Sequence, residues 1–330
     1  MKYLSLLALP LICLLLLSGR ARAELQADWE QLVGGEFTPN GTTLETDQTR
    51  LFLGEGDGFY MSRDHGYTWR LTLPDRQITA IAIGKNALYA GTSKHGLFRS
   101  DSRGVTWQKK SGRAPIKQIV VLRSGAVIAG RYPAGVYISF NRGDTWDDIY
   151  DRWLEKLSHV GYNIWSITEF DGYLWSSTSG GGIIRTPDMG KTWKWATEDF
   201  RLGRVSDWAV FNDRLYAAAG GFGRWNEAKH TWEYFNEGLQ PERGAQRFSS
   251  LAVNRGRLYA RLLSSGVYLF DERSETFVLA GLRESVILDL VSHQGYLYAA
   301  AEDEGIYRAS IPAVQPYNRA TVTWGALKTK

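Results

Sequence analysis

An eight-residue phrase that recurs along the chain constrains the fold more than any other feature of the sequence. Its clearest copy, at residues 62–69, reads Ser-Arg-Asp-His-Gly-Tyr-Thr-Trp. Three further copies, with substitutions, occupy residues 100–107, 139–146 and 186–193. Two reduced copies end at Thr231-Trp232 and Thr276-Phe277. Regular self-similarity of this kind predicts an array of similar structural units.

Each copy fits a tight turn that leads from one β-strand into the next. The glycine tolerates a positive φ, and Ser, Thr, Asp or Asn side chains bond backbone groups of the same turn. The Thr-Trp end suits the start of a strand, and the Trp is large enough to pack against a neighbouring unit. We therefore interpret the acidic residue of the phrase as structural rather than catalytic. The structural set comprises Asp64, Gly66, Trp69, Ser102, Gly104, Trp107, Asn141, Gly143, Trp146, Asp188, Gly190 and Trp193.

The spacing of the phrases predicts a β-propeller. The aromatic residues that close successive copies are separated by 38, 39, 47, 39 and 45 residues. Each interval contains three runs of strand-forming residues, as at 78–83, 87–92 and 96–100, and a fourth strand is expected at 107–110. Two-residue hairpin signals such as Asp171-Gly172 join the first two runs. Four short antiparallel strands in about 40 residues are typical of a propeller blade.

We count seven blades, and the seventh lacks a fourth strand of its own. Its three strands are expected near 285–291, 296–301 and 305–310. The segment around Trp29 resembles the outer strand at Trp232, so we predict that an N-terminal strand completes blade 7 and removes the exposed edges. A C-terminal strand at 321–326 is the alternative. The predicted fold class is all-β, a seven-bladed β-propeller of four-stranded antiparallel blades.

Residues 1–23 have the pattern of an export signal. Lys2 precedes an apolar stretch from Leu4 to Leu17, and Ala21-Arg22-Ala23 has the form of a signal peptidase site. We expect cleavage, which leaves residues 24–330 as one propeller domain in a secreted or periplasmic protein; a retained anchor is the alternative. Cleavage leaves 36 basic against 35 acidic side chains, so the charge gives no reason to expect nucleic-acid binding.

Strand direction sorts the loops of such a propeller onto two faces. The first hairpin of each blade and the repeated phrases share one face, which we call the turn face. The opposite face, the loop face, carries the loops between second and third strands and the connections between blades. Because the loop face varies more in sequence, we expect the functional site there.

The candidate site residues lie in loop-face segments. Ring closure is expected to bring acidic residues of blades 1 and 7 together, while blades 2 and 3 contribute basic ones. The binding candidates are Lys94, His95, Arg131, Tyr132, Arg261, Glu302, Asp303 and Glu304, with Glu55 and Asp57 beside the last three. Solvated loop tips are the simplest interpretation; a ligand or partner surface and a divalent cation at the acidic cluster are the alternatives.

Two further features point to the same face. Ile149, Trp153, Leu154 and Leu157 have helical spacing and predict a short amphipathic helix in the longest connection between blades. Tyr132, Trp153 and Phe222 are the aromatic candidates for contact with a sugar or a peptide.

The repeated phrase resembles the Asp-box, or BNR repeat, of the sialidase superfamily, and the resemblance extends over the mature chain. In that family the box is a structural turn away from the active site. The Arg-Ile-Pro element of the sialidases is absent from this sequence. Length, single ring and export signal are most similar to the photosystem II assembly and stability factor group, which are exported propellers without enzymatic chemistry. This resemblance implies a non-enzymatic propeller that docks a protein, or a glycan, on the loop face.

A glycoside hydrolase of sialidase or xyloglucanase type is the alternative function. Such an enzyme needs two carboxylates across a sugar site, and Glu55, Asp57 and Glu302 are the candidates. The five histidines show no metal-ligand spacing, and the mature chain has no cysteine. We therefore expect no metal and no cofactor, a monomer, a protein partner, and no membrane span after signal cleavage.

Overall fold

The computed structural model describes residues 27–33, 42–112, 115–131, 136–148, 164–178, 182–197, 203–239, 248–262 and 266–311. These residues form seven antiparallel sheets of four strands each, as the phrase spacing predicts. Among them, no helix is long and apolar enough to cross a membrane. The export signal at 1–23, the helix expected at 149–157 and the alternative closing strand at 321–326 lie outside the described residues.

The first three blades follow one another along the chain after β1 (Asp28–Val33). Blade 1 contains β2 (Thr43–Thr46), β3 (Leu51–Gly54), β4 (Gly58–Ser62) and β5 (Arg70–Pro74). Blade 2 contains β6 (Ile78–Ile83), β7 (Leu88–Thr92), β8 (Leu97–Ser100) and β9 (Gln108–Lys109). Blade 3 contains β10 (Ile116–Val121), β11 (Val127–Arg131), β12 (Val136–Ser139) and β13 (Asp147–Asp148).

The remaining blades repeat this order. Blade 4 contains β14 (Ile164–Phe170), β15 (Tyr173–Thr178), β16 (Ile183–Thr186) and β17 (Lys194–Thr197). Blade 5 contains β18 (Asp207–Phe211), β19 (Arg214–Ala218), β20 (Phe222–Asn226) and β21 (Thr231–Phe235). Blade 6 contains β22 (Phe248–Asn254), β23 (Arg257–Leu262), β24 (Gly266–Asp271) and β25 (Thr276–Gly281). Blade 7 contains β26 (Ile287–His293), β27 (Tyr296–Ala301) and β28 (Gly305–Ser310).

The N-terminal strand completes blade 7, which confirms the predicted closure. β1 pairs antiparallel with β28, and Trp29 stands opposite Ala309. The Trp29 indole N–H also donates to the carbonyl of Ala280 in blade 6, at 3.0 Å. The first strands of the blades contact one another in a closed cycle from β2 through β26 and back to β2. They surround a central channel of about 600 Å³.

The closing aromatic residues pack against the preceding blade. The Trp107 ring lies 4.6 Å from that of Phe59 in blade 1, measured between centroids, and its indole N–H donates to the Thr72 hydroxyl. Trp146 packs on the blade 2 core, and Trp232 packs edge-on against Trp175 of blade 4. Sheet-on-sheet burial of this kind holds each blade to its neighbour, so the ring is stabilised joint by joint.

The observed strands of blade 2 show where the prediction was too long. The outer strand expected at 107–110 contains only Gln108–Lys109, because only these two residues pair with β8. The runs at 87–92 and 96–100 each begin one residue later, at Leu88 and Leu97.

Candidate functional site

The repeated phrases form one hydrogen-bonded turn in four copies. In the first copy the Ser62 hydroxyl accepts the Gly66 N–H at 2.8 Å, and the Asp64 carboxylate accepts both the backbone N–H and the hydroxyl of Thr68. Gly66 has a φ of 88°, which explains the glycine. Equivalent bonds to the glycine N–H come from Ser100, Ser139 and Thr186. The Asp carboxylates of the phrase are thus engaged within their turns, as a structural role requires.

Glu55 at the loop face is almost completely buried. Its exposed fraction is 2%, and its Oε1 accepts the Thr42 hydroxyl at 2.8 Å. Its Oε2 is buried and finds no hydrogen-bond partner within the described part of the chain. Burial raises the pKa of Glu55 to about 7, with a smaller contribution from the charge of Asp57. Asp57 itself is exposed and accepts the hydroxyl of Tyr60 at 2.6 Å.

The acidic loop of blade 7 makes its own contacts. The Glu304 carboxylate accepts the hydroxyls of Ser285 at 3.0 Å and of Tyr307 at 2.8 Å. The Glu302 N–H donates to the carbonyl of Val286, and Asp303 is exposed. In the part of the chain that the structure describes, no group of three or more His, Cys, Asp or Glu side chains is arranged to hold a metal ion.

Arg131 lines a pocket of about 260 Å³ between blades 2 and 3. Arg131 lies at the end of β11, with its guanidinium carbon 5.0 Å from the centroid of the Tyr137 ring. The Arg131 Nε is buried and has no hydrogen-bond partner among the residues that the structure describes. Lys94 and His95 are exposed in the β7–β8 loop. The pocket is lined by Leu97, Ser111, Gly112, Ile116, Ala129, Arg131, Tyr137 and Trp146.

Two of the sequence candidates do not lie on an open surface. Arg261 belongs to strand β23 rather than to a loop, and its exposed fraction is 7%. Phe222 is fully buried in the blade 5 and 6 core, where its ring lies 4.9 Å from that of Phe270. Both positions had been assigned to loops, but strand pairing extends through them. Tyr132 and Trp153 lie outside the described residues.

The central channel contains a group of carboxyls that the sequence did not reveal. Glu45, Asp207 and Asp289 lie on the first strands of blades 1, 5 and 7 and line the channel. Burial, reinforced by the nearby carboxylates, raises the pKa of Glu45 to about 8. Burial likewise raises the pKa of Asp207 to about 7, and it raises that of Asp289. The charge of Arg261 opposes the shift of both aspartates.

These aspartates bridge neighbouring blades. Asp207 accepts the Leu251 N–H of blade 6 at 2.7 Å, and Asp289 accepts the Leu44 N–H of blade 1 at 2.8 Å. Asp289 also accepts the hydroxyl of Ser250 in blade 6. One sequence signal marks these positions. It is a single carboxylate within or at the start of an otherwise apolar run, as in Asp207-Trp208 and Asp289-Leu290. Because Asp207 and Asp289 bond the inner strands of neighbouring blades to each other, we interpret their role as structural.

Comparisons with known proteins support the fold. No protein-family model matches the sequence, and no curated protein matches it. Among solved structures, YCF48 from Cyanidioschyzon merolae superimposes with a TM-score of 0.64 at 13% identity, covering 87% of this chain and 99% of that chain. A structure of YCF48 bound to D1 peptide gives 0.60 at 14% identity, with 86% and 97% covered.

A further structure of similar fold is that of a lyase. Virginiamycin B lyase from Staphylococcus aureus, a catalytically inactive variant with quinupristin, superimposes with a TM-score of 0.68 at 11% identity, covering 87% of this chain and 99% of that chain. Identities this low establish a shared propeller fold and nothing more. One fold hosts both a peptide complex and a lyase, so function has to be argued from the site.

Proposed function

We propose that this protein is a non-enzymatic binding propeller that docks a protein partner on its loop face. The observation that carries the proposal is the pocket at the joint of blades 2 and 3. There the half-buried Arg131 lies against Tyr137, and its Nε–H is buried without a hydrogen-bond acceptor among the described residues. A buried donor without a partner is costly, and an acceptor supplied by a partner would satisfy it.

The surroundings of the pocket suit a protein partner. Leu97, Ile116 and Trp146 supply apolar wall, and Arg131 supplies charge. Lys94 and His95 are exposed in the β7–β8 loop, just before Leu97. An aromatic and an arginine in a partly apolar pocket are the residue types that anchor protein interfaces. The structure of YCF48 bound to D1 peptide shows that a propeller of similar fold takes a peptide.

The sequence supports three more specific features of this protein. The repeat turns are Asp-boxes, and residues 1–23 are a signal that exports the protein and is then cleaved. The protein acts as an assembly-factor-like propeller outside the cytoplasm. Of the three carboxylates considered for hydrolysis, Glu55 and Asp57 are each engaged by a neighbouring hydroxyl, which favours binding over hydrolysis at this face.

Charge reversal tests the docking face. We expect Lys94→Glu with Arg131→Glu to abolish capture of the partner from the exported fraction. The matched control is Lys85→Glu with Arg103→Glu, two exposed residues beside a cavity on the turn face. The control is expected to capture the same protein as wild type. Equal capture by both double variants, with unchanged melting temperatures, would show that the docking face is wrong.

A glycan panel tests the alternative. A hydrolase would cleave at least one glycan and lose that activity on Glu55→Gln, Asp57→Asn or Glu302→Gln. The binding proposal predicts no cleavage of any glycan by the wild-type protein.

A further inference from the structure

The joint between blade 7 and blade 1, which we call the closing seam, joins the two ends of the ring. Its contacts run from the channel to the turn face. Asp289 accepts the Leu44 N–H, and the His293 Nδ1 lies 2.6 Å from the Thr46 hydroxyl. Farther out, the Gln294 amide donates to the carbonyl of Gln48, and the Tyr298 hydroxyl donates to that of His65.

Ion pairs cross some of the other joints between blades. Ion pairs connect blade 2 to blade 3 through Arg99 and Asp144, and blade 4 to blade 5 through Arg185 and Glu227. Across the closing seam, the described residues show no ion pair; Arg308 pairs with Glu30 inside blade 7 and reaches only the Tyr67 hydroxyl in blade 1. The seam thus relies on an imidazole, whereas the joints of blades 2 and 3 and of blades 4 and 5 have permanent charges.

The hydrogen bonds fix the tautomer of His293. The Thr46 hydroxyl donates to the carbonyl of Arg50 at 2.9 Å and accepts the Gln48 N–H at 3.0 Å. A hydroxyl has one proton to donate, so Thr46 must accept from His293. His293 therefore carries a proton on Nδ1. Further protonation has to occur on Nε2 of a ring whose exposed fraction is 1%.

The charged and titratable groups around His293 disfavour a positive ring. The His65 ring from the blade 1 turn lies 5.7 Å away, and the Tyr298 ring of β27 lies 5.9 Å away. Asp47 in the β2–β3 hairpin attracts a positive charge, but it is already bound to Arg50 at 3.2 Å. Burial, and then the charge of His65, lower the pKa of His293.

We propose that the closing seam is a pH-sensitive joint, which acidification opens by placing a proton on His293. A neutral His293 donates to Thr46 and ties blade 7 to blade 1. A doubly protonated ring is a buried charge beside a second histidine, and separation of the two blades hydrates it. The carboxyls of Asp289 and Glu45 lie at the channel end of the same seam, while Asp207 and Arg261 belong to blades 5 and 6. None of these groups makes a hydrogen bond to the imidazole among the described residues.

The direction of the pH dependence follows from linkage. The closed seam holds the pKa of His293 below its usual value, so the open seam binds the proton more tightly. Opening is therefore favoured as the pH falls below about 6.5, the ordinary pKa of histidine. The closed state is fully favoured above that pH.

Hydrogen–deuterium exchange of the full chain tests the proposal. Between pH 7.5 and 5.5, corrected for intrinsic rates, we expect protection of β2 and β26 to fall by up to about tenfold per pH unit below pH 6.5. Protection at the joint of blades 4 and 5 is expected to stay constant. Equal loss at both joints, or none at the seam, would overturn the proposal.

Two variants make the assignment specific. His293→Asn keeps an N–H near the Nδ1 position but cannot titrate, so it should retain seam protection at pH 5.5. His230→Asn, on the exposed turn of blade 5, should respond to acid like wild type. If His293→Asn does not fold, a wild-type NMR titration of the imidazole decides: a pKa at or above 6.5 for His293 contradicts the proposal.

Discussion

The repeat turn shows how one small side chain organises eight residues. The Ser62 hydroxyl accepts the Gly66 N–H and donates to Asp64 at 2.8 Å, and Asp64 in turn binds Thr68. The polar groups of the turn therefore bond one another, and the Asp64 carboxylate is used within the turn. In the fourth copy, the hydroxyl and N–H of Thr192 lower the pKa of Asp188 to about 2. The same chemistry explains why Thr186 replaces Ser without changing the bond to glycine.

Ser62→Ala should destabilise the fold without affecting partner capture. The substitution leaves the buried Gly66 N–H without an acceptor, which costs about 1–3 kcal/mol of unfolding free energy. The control Ser274→Ala, at an exposed hydroxyl, should change it by less than about 0.5 kcal/mol. Urea unfolding measures both. Equal effects would mean that the turn bond contributes nothing specific.

The inner two strands of a blade carry the contacts that hold the ring together. At one register position, the second strand has a small residue in six blades: Gly54, Gly91, Gly130, Ser177, Ala218 and Ala300. Blade 6 instead has Arg261 at this position. Its Nε is buried and has no hydrogen-bond partner among the described residues. Its charge lies near Asp207 and Asp289 and opposes the rise of their pKa values. Small residues here let the next blade approach closely.

Gly91→Ala and Gly130→Ala form a matched pair. A methyl group at Gly91 would lie 2.7 Å from the Cγ2 atom of Ile116 in blade 3, whereas one at Gly130 meets nothing closer than 3.9 Å. Overpacking should therefore cost Gly91→Ala about 1–3 kcal/mol. Gly130→Ala should change the unfolding free energy by less than about 0.5 kcal/mol. Thermal unfolding of both variants checks this, and a reversed order would contradict the assigned packing.

Glu45 should make the protein less stable at alkaline pH. Its pKa is raised from 4.5 to about 8 in the folded state, so the folded protein binds the proton more tightly. This contribution is fully present below about pH 4.5 and is lost as the pH rises towards 8. Because Glu45 is only half-buried and lines the channel, we expect a slope of at most about 1 kcal/mol per pH unit.

Urea unfolding between pH 5 and 8.5 measures this slope. Glu45→Gln cannot ionise and should give a shallower dependence than wild type, whereas Glu284→Gln, at the exposed surface, should retain the wild-type slope. Identical slopes for all three proteins would exclude Glu45 as the cause.

Much of the whole molecule could be predicted from the sequence, because a ring of blades is specified locally. The recurring glycine and Trp mark the turns of the four full copies of the phrase. Trp29 identifies the closing strand. The channel carboxyls could not be predicted, since Glu45, Asp207 and Asp289 meet only after the ring closes. The assignment of Arg261 to an exposed loop was wrong because β23 extends to Leu262, and a strand end was mistaken for a loop.

The two faces of the closed ring differ in the way that matters for a partner. On the turn face, short hairpins and self-satisfied turns repeat from blade to blade. On the loop face, Arg131 lines the pocket between blades 2 and 3, at a register position where blades 2, 4, 6 and 7 have Thr92, Thr178, Leu262 and Ala301. A partner that recognises this protein in one orientation needs such a break in symmetry, so the loop face is where we expect it to bind.

Site-specific photo-crosslinking in living cells tests this claim most directly. A photoreactive residue would replace Lys94 or His95 on the loop face, and Lys85 or Arg103 on the turn face. All four side chains are exposed, so the substitutions should leave the fold intact. We predict that one discrete partner crosslinks from positions 94 and 95 and from neither turn-face position. Crosslinks from positions 85 and 103 alone would contradict the assignment of the docking face.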